Sequence, residues 1–295
     1  MRHPFHIVDV FAESRYAGNT LAVVQGAADL DTDTMQRIAR EFGFSETTFV
    51  VSDPRATAAG VRVRIFTPGH EIPFAGHPTL GTAWVIREHL AAGRPAMVML
   101  ELGVGRVPVA FEPAASGGEL AWLTAPPVTL GAERKAETAA AMLSLAPADL
   151  DPTLPVQQVS AGIGFTIVPL RRREALARVR IDPAAFARFG RETPPATVYL
   201  FAREAEDPAN QIRARMFFES AGLREDPATG SATACFGAYL LAHRAYGEGP
   251  VALRIEQGFE MGRPSLLHLD ARIEGGAPRI RVGGRVIETA RGELV

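Results

Sequence analysis

Two short segments of this chain place polar side chains at the start of an apolar helix. "GHPTLG" (76–81) sets His77 after Gly76, with Pro78 in the first turn, where its missing N–H costs nothing. "EDPATGSA" (225–232) sets Asp226 and Thr229 before Gly230 and Ser231 in the same role. Helix starts of this kind present backbone N–H groups without intrahelical partners and the positive end of the helix dipole. That combination suits an anion such as a carboxylate. Taken singly, Asp226, Ser231 and Thr79 also read as helix caps, and His77 as a hydrogen-bonded structural histidine.

The elements that must carry these residues are written twice. "VRVRIFTPGHEIPFAGHPTLGTAWVI" (61–86) is echoed by "IRARMFFESAGLREDPATGSATACFGAYL" (212–240), with Arg64 matching Arg215 and Gly76-His77 matching Gly230-Ser231. Upstream, "GNTLAVV" (18–24) is echoed by "GFTIVPL" (164–170). Self-similarity at half the chain length predicts two related domains facing one another, 1–125 and 126–295, with the final strand returning to the first domain as an alternative. "HIVDVFA" (6–12), "TLAVV" (20–24), "TTFVV" (47–51) and "VRVRIF" (61–66) alternate as strands. "DTDTMQRIAREFG" (31–43) is helical by the spacing of Met35, Ile38, Ala39 and Phe42, capped by Asp31 or Thr32, so Ser45-Glu46 falls at a helix-to-strand junction. Alone, Glu46 reads as a solvated carboxylate. "LGTAWVIREHL" (80–90) and "SATACFGAYLLAHR" (231–244) are helices apolar nearly all round, hence buried. "TAPPVTLGAERKAE" (124–137) is the linker candidate, followed by a helix. The fold class is therefore α+β, each half a curved, antiparallel-rich sheet wrapped around one central helix in a pseudo-two-fold pair.

Composition excludes more than it selects. With 47% hydrophobic and 22% charged residues the chain reads as soluble and globular. A net charge of −2 with no basic run gives no reason to expect nucleic acid. No segment reaches the roughly 20 apolar residues of a membrane helix, and Asp9 interrupts the start before any signal-length apolar run, so cytoplasm is the default. Cys235 is the only cysteine, which rules out an internal disulfide and a thiolate zinc cluster. Lys135 is the only lysine and lies in an Ala-rich stretch with charges on its face, which argues against a pyridoxal Schiff base and a Walker phosphate loop. His3 and His6 are near the terminus, and His89, His243 and His268 are scattered, so no metal is expected. Cofactor-free chemistry on ordinary side chains remains.

The ordered segments "VDVFAESRYAGNTLAVV", "FSETTFV", "RIFTPGHEIPFAGHPTLG", "REDPATGSA" and "EQGFEMGRPS" resemble the PhzF family, named for a phenazine-biosynthesis isomerase and sharing its fold with diaminopimelate epimerase. The resemblance implies an isomerase of the trans-2,3-dihydro-3-hydroxyanthranilate type, with no cofactor, working as a homodimer on a small carboxylate. Its general acid/base glutamate falls on Glu46, which must then be partly desolvated with a raised pKa. The other catalytic positions fall on His77, Asp226 and Ser231. Asn19 becomes a pocket wall, turn formation being its simpler role, and Gly76, Thr229 and Gly230 become substrate contacts. Where diaminopimelate epimerase carries cysteines at its helix starts, His77 and Ser231 stand here, and Cys235 reads as a small buried hydrophobe. "RMFFESAGLREDP" lacks the "F-x-P" of the first half's "FTP", putting Phe218-Glu219 where the loop is stiffened and leaving the substrate open. An amino-acid epimerase or racemase and a non-catalytic carboxylate-binding protein are the alternatives.

Overall fold

The computed structural model describes residues 2–115, 117–192, 196–219 and 223–295. They form a mixed α+β fold in two compact units, Met1–Thr124 with Gly283–Val295, and Ala125–Val282. The chain begins with β1 (His3–Val10), β2 (Asn19–Val24), α1 (Thr32–Phe42), β3 (Glu46–Val50), β4 (Val61–Phe66), β5 (Glu71–Ile72), α2 (Gly76–Val85), β6 (Met97–Leu102), β7 (Gly105–Pro113) and β8 (Glu119–Thr124). It continues with β9 (Thr129–Arg134), α3 (Ala136–Met142), β10 (Val156–Ser160), β11 (Gly164–Leu170), α4 (Arg173–Arg178), α5 (Pro183–Glu192), β12 (Thr197–Ala202), β13 (Ile212–Glu219), β14 (Leu223–Asp226), α6 (Gly230–Ala242), β15 (Val251–Gln257), β16 (Ser265–Glu274) and β17 (Ala277–Gly284). The last strand, β18 (Val286–Leu294), returns to the first unit and pairs antiparallel with β1.

Local chemistry sets these elements. Asp31 caps α1 by accepting the Thr34 amide at 2.7 Å, and Gly43 closes it in the left-handed region. Met35 and Ala39 then face the core of the first unit with Val24, Phe49 and Phe66. The stretch expected as a linker instead contributes β9, which pairs with β10; its Pro pair ends before Thr129, so the ladder is not interrupted. Phe218 and Glu219, expected in a loop, extend β13 and pair with Arg224 and Leu223 of β14. Ser220 to Gly222, the rest of that segment, lie outside the described residues. Helices α4 and α5 had no signal strong enough to predict, since each is short; α5 is held through Phe186 and Phe189, one turn apart, against Met142 and Leu143.

Both central helices are buried nearly all round, as their sequences require. In the first unit α2 packs against β1, β2, β3, β6, β7, β8 and β18. In the second, α6 packs against β10, β11, β15 and β16. Each helix has a glycine at the point of closest approach. A Cβ on Gly81 would lie 2.7 Å from Leu21 Cδ2 and 2.8 Å from Val10 Cγ2, and one on Gly237 would lie 2.8 Å from Leu269 Cδ1 and 3.1 Å from Ile280 Cγ2. Gly81 faces two methyls stiff at χ1, Val10 Cγ2 and Val8 Cγ2 at 3.1 Å, whereas Gly237 faces one, Ile280 Cγ2, and the nearer tip of Leu269 can turn aside. Gly81→Ala should therefore lose about 1–3 kcal/mol to overpacking, offset by about 1 kcal/mol of helix propensity. Differential scanning calorimetry should show a lower Tm for Gly81→Ala and a smaller change for Gly237→Ala; the reverse order would refute this packing account.

Candidate active site

The residues singled out in the sequence fall into two groups, one within each unit. In the first unit Glu46 opens β3 beside Leu21 of the parallel β2. His77 is the second residue of α2. Its Nε2 lies 3.3 Å from Glu46 Oε2, and its Nδ1 lies 3.1 Å from Asn19 Nδ2. An amide nitrogen can only donate, so Nδ1 accepts, and the single proton of a neutral ring sits on Nε2, on the Glu46 side, where the approach is close but lacks the alignment of a hydrogen bond. The supports are equally specific. Asn19 sits where β2 begins, opposite Val10 of β1. The loop leading to it is tied by buried Asp9, which accepts from the Tyr16 amide at 2.7 Å and from Thr20 Oγ1 at 3.1 Å. Thr48, two residues past Glu46, shares a 2.7 Å hydrogen bond with Thr82 of α2, locking the strand that carries the carboxylate to the helix that carries the imidazole.

Burial decides the charge state of His77. Desolvation pushes its pKa down to about 3. The positive end of α2 opposes an imidazolium in the same sense. At neutral pH His77 is thus a neutral imidazole, not a charged acid. The Glu46 side chain is 16% exposed and that of His77 only 5%, so the carboxylate is the member of the pair that meets solvent.

In the second unit Asp226 ends β14 and is 7% exposed. Its Oδ2 accepts from Thr229 Oγ1 at 2.5 Å. Thr229 stands at the N-cap of α6 and Ala75 at that of α2, and neither makes a side-chain cap hydrogen bond. Thr79, considered as a cap, bonds back to the Ala75 carbonyl at 2.7 Å. Gly230 and Ser231 form the buried first turn of α6. Cys235, a turn further on, is buried with its thiol pushed up to about 12, so it behaves as the apolar residue expected and not as a nucleophile. Lys135 is exposed beside the start of α3.

Sequence reasoning missed two features. Gln257, fully buried at the end of β15, donates to the Asp226 carbonyl at 2.8 Å and to Thr229 Oγ1 at 3.0 Å, and accepts from the Thr229 amide at 3.2 Å. Its signal was present, a polar residue in the apolar run "ALRIEQG". Gly258 follows at φ +78°, where a side chain would collide with the Pro227 carbonyl, so the turn holding Gln257 against this segment admits only glycine. The second feature is a repeated clamp. Arg64 binds Glu71 through two bonds of 2.7 and 2.6 Å, and Arg215 binds Glu225 through two of 2.8 Å. Each arginine also lies over a phenylalanine two residues on, Phe66 or Phe217. Each glutamate stands five residues before the glycine that opens the central helix. The matched arginines thus fix the approach to both helix starts.

A family profile described as phenazine biosynthesis-like protein matches residues 8–292. The chain belongs to that family. An uncharacterized isomerase of Mesorhizobium japonicum is 38% identical over 98% of this chain and 97% of its own length. The trans-2,3-dihydro-3-hydroxyanthranilate isomerase of Pseudomonas aeruginosa is 36% identical, covering 94% of this chain and 93% of its own. The crystal structure of a PhzF-family phenazine biosynthesis protein from Bacillus anthracis superposes with a TM-score of 0.88 at 26% identity, over 100% of this chain and 99% of that one. The chain is an isomerase of the phenazine biosynthesis-like family. Among the described residues no helix is long and apolar enough to cross a membrane.

Two tests follow from the geometry. Between about pH 6.5 and 3 the unfolded chain binds a proton at His77 that the folded chain refuses, so stability falls as pH is lowered through that window. Urea unfolding at successive pH values should show a shallower acid slope for His77→Gln than for the wild type; parallel slopes would mean the imidazole is not held neutral. Gln257→Leu strands the Asp226 carbonyl and the Thr229 amide and should cost about 1–3 kcal/mol; an unchanged urea midpoint would show that these bonds are dispensable.

Proposed function

We propose that this enzyme moves a proton within a small, conjugated cyclic carboxylic acid, with Glu46 as the acid/base that makes and breaks the C–H bonds. The observation that carries the reading is the 3.3 Å approach of His77 Nε2 to Glu46 Oε2, with Asn19 selecting the tautomer. In the forward direction the Glu46 carboxylate takes the proton from a carbon next to the unsaturated system, and the electron pair of that C–H bond enters the conjugated system. The carboxylic acid so formed returns the proton to another carbon of the same system. Neutral His77, with its Nε2 proton on the Glu46 side, steadies the carboxylate charge without competing for the proton, and the 3.3 Å approach tightens to a hydrogen bond when substrate binds. Gly76 contributes its amide at the positive end of α2, where charge in a dienolate-like transition state is favoured. In the second unit, Ser231 and the first amides of α6, with Thr229 and Gly230 at its start, suit a carboxylate, and Asp226, clamped by Thr229 and Gln257, suits a polar group of a ligand.

The relative from Pseudomonas aeruginosa acts on trans-2,3-dihydro-3-hydroxyanthranilate by its name, and a ring acid of that kind is the substrate class we assign. The family resemblance supports a cytoplasmic homodimer with no nucleic-acid partner and no resident cofactor; sedimentation equilibrium checks the stoichiometry.

The decisive assay is solvent-deuterium incorporation into a panel of cyclic and amino-acid carboxylates, read by mass spectrometry and NMR. The wild type should exchange and shift a double bond in a ring acid. Glu46→Gln should slow both by roughly 10²–10⁴-fold, the usual worth of a positioned base, while still binding the ligand. Wild-type-like turnover in Glu46→Gln would end the assignment. Deuterium at a stereocentre without double-bond migration would make it an epimerase, and ligand binding without exchange would make it a binding protein.

A further inference from the structure

At the end of α2 opposite His77, the fold gathers three residues that no function described so far uses. His6 comes from β1, Glu288 from β18, and His89 from the turn Ile86–Leu90 that closes α2. His6 Nδ1 lies 2.6 Å from Glu288 Oε1, His89 Nε2 lies 3.6 Å from the same oxygen, and the three donor atoms all fall within 4.8 Å of one another. The histidines stack with centroids 4.3 Å apart, and Trp84 backs His89 edge-on at 5.7 Å.

Two irregularities of the backbone produce this meeting. The register of β1 against β18 slips between Ile7 and Val8, so that Val8 faces Glu288 and not Thr289. That extra residue turns Glu288 to the face of β1 that carries His6 and Val8. The second is the wide, π-type turn that continues α2 and brings His89 onto the His6 ring. Such turns are rare, and they concentrate at functional sites. His77 opens α2 and His89 lies in the turn that continues it beyond Val85, at the opposite end of the helix. The cluster is therefore apart from the Glu46 pair.

We propose that His6, His89 and Glu288 bind a divalent transition metal of the zinc type, with solvent completing its coordination. Two imidazole nitrogens and one carboxylate oxygen are the donor set of zinc, nickel, copper and ferrous iron, and not of magnesium or calcium, which take oxygen alone. Bonds of about 2.0–2.2 Å place ligand atoms roughly 3–3.5 Å apart. The separations of 2.6 and 3.6 Å from Oε1 bracket that range, and rotation of the His89 ring out of its stack on His6 lets both in-plane lone pairs reach one ion. His6 is buried, whereas the His89 and Glu288 side chains are each 26% exposed, which gives an ion both an anchor and a way in. Arg291 stands opposite His6 in the register and acts on His89 as a positive charge, which weakens the site. A bound ion ties β18 to β1 and to the end of α2, so its role is to hold the chain's last strand in place.

Isothermal titration of the full chain with zinc and nickel tests this. The wild type should bind one equivalent of zinc and no magnesium. His89→Ala and Glu288→Gln should weaken zinc binding about tenfold or more, Arg291→Ala should tighten it, and Glu46→Gln should leave it unchanged. Copper substituted for zinc should give an electron paramagnetic resonance spectrum with two nitrogen ligands in the wild type and one in His89→Ala. Circular dichroism checks that the exposed-site variants are folded. Absence of stoichiometric zinc, or zinc binding that survives both His89→Ala and Glu288→Gln, would overturn the proposal and leave a stacked, hydrogen-bonded histidine pair.

Discussion

A helix without a polar face has to be enclosed, and that requirement organises each unit of this protein. Nine of the ten residues of α2 are buried, and α6 is buried along almost its whole length. The hydrophobic effect therefore draws strands around both helices from several directions. Enclosure on the sides leaves the ends as the places where backbone polarity can be used. In both units the N-cap residue of the enclosed helix makes no side-chain cap hydrogen bond, and the helix start is approached through an arginine–glutamate clamp. Packing thus comes first, and the polar positions are a consequence of it.

The same burial sets the proton inventory. Histidine is the side chain that ordinarily titrates near neutrality, yet at the head of α2 it is desolvated and set against a helix dipole, so its basic form is the only one populated. The neighbouring carboxylate reaches solvent more readily. One residue is held neutral, while the other keeps an opening to solvent. Division of labour between two titratable groups here follows from their unequal access to water, with Asn19 removing the remaining ambiguity in the ring.

Much of this was legible in the sequence, for identifiable reasons. The strand and helix of "VRVRIFTPGHEIPFAGHPTLG" were visible because alternation and apolar runs are local, and the family motifs pointed to Glu46 and His77. The pairing of these two and the grouping of Asp226 with Thr229 are seen only in three dimensions. Local reading failed where the information is not local. Gln257 looked like an ordinary strand end until its amide was seen bridging Asp226 and Thr229. His6 and His89 looked scattered because 82 positions of sequence lie between residues that the fold stacks. Phe218 and Glu219 looked like loop because the comparison was with the first half's proline, which their own strand pairing does not need. Periodicity reports a residue's own element; it is silent about partners brought by another.

The return of β18 to β1 has a consequence for how the protein is made. Synthesis proceeds from the N-terminus, and domains generally fold as units when their residues are available. The second unit is continuous, whereas the first needs Val286–Leu294 to complete the ladder along β1. On the ribosome, the half that is translated first is therefore finished last, with the β1 edge open while the whole second unit is translated. An unpaired strand edge is a template for wrong partners, so the order of synthesis opposes the order of assembly. The chain's fate in the cell then rests on how that edge is protected during the interval.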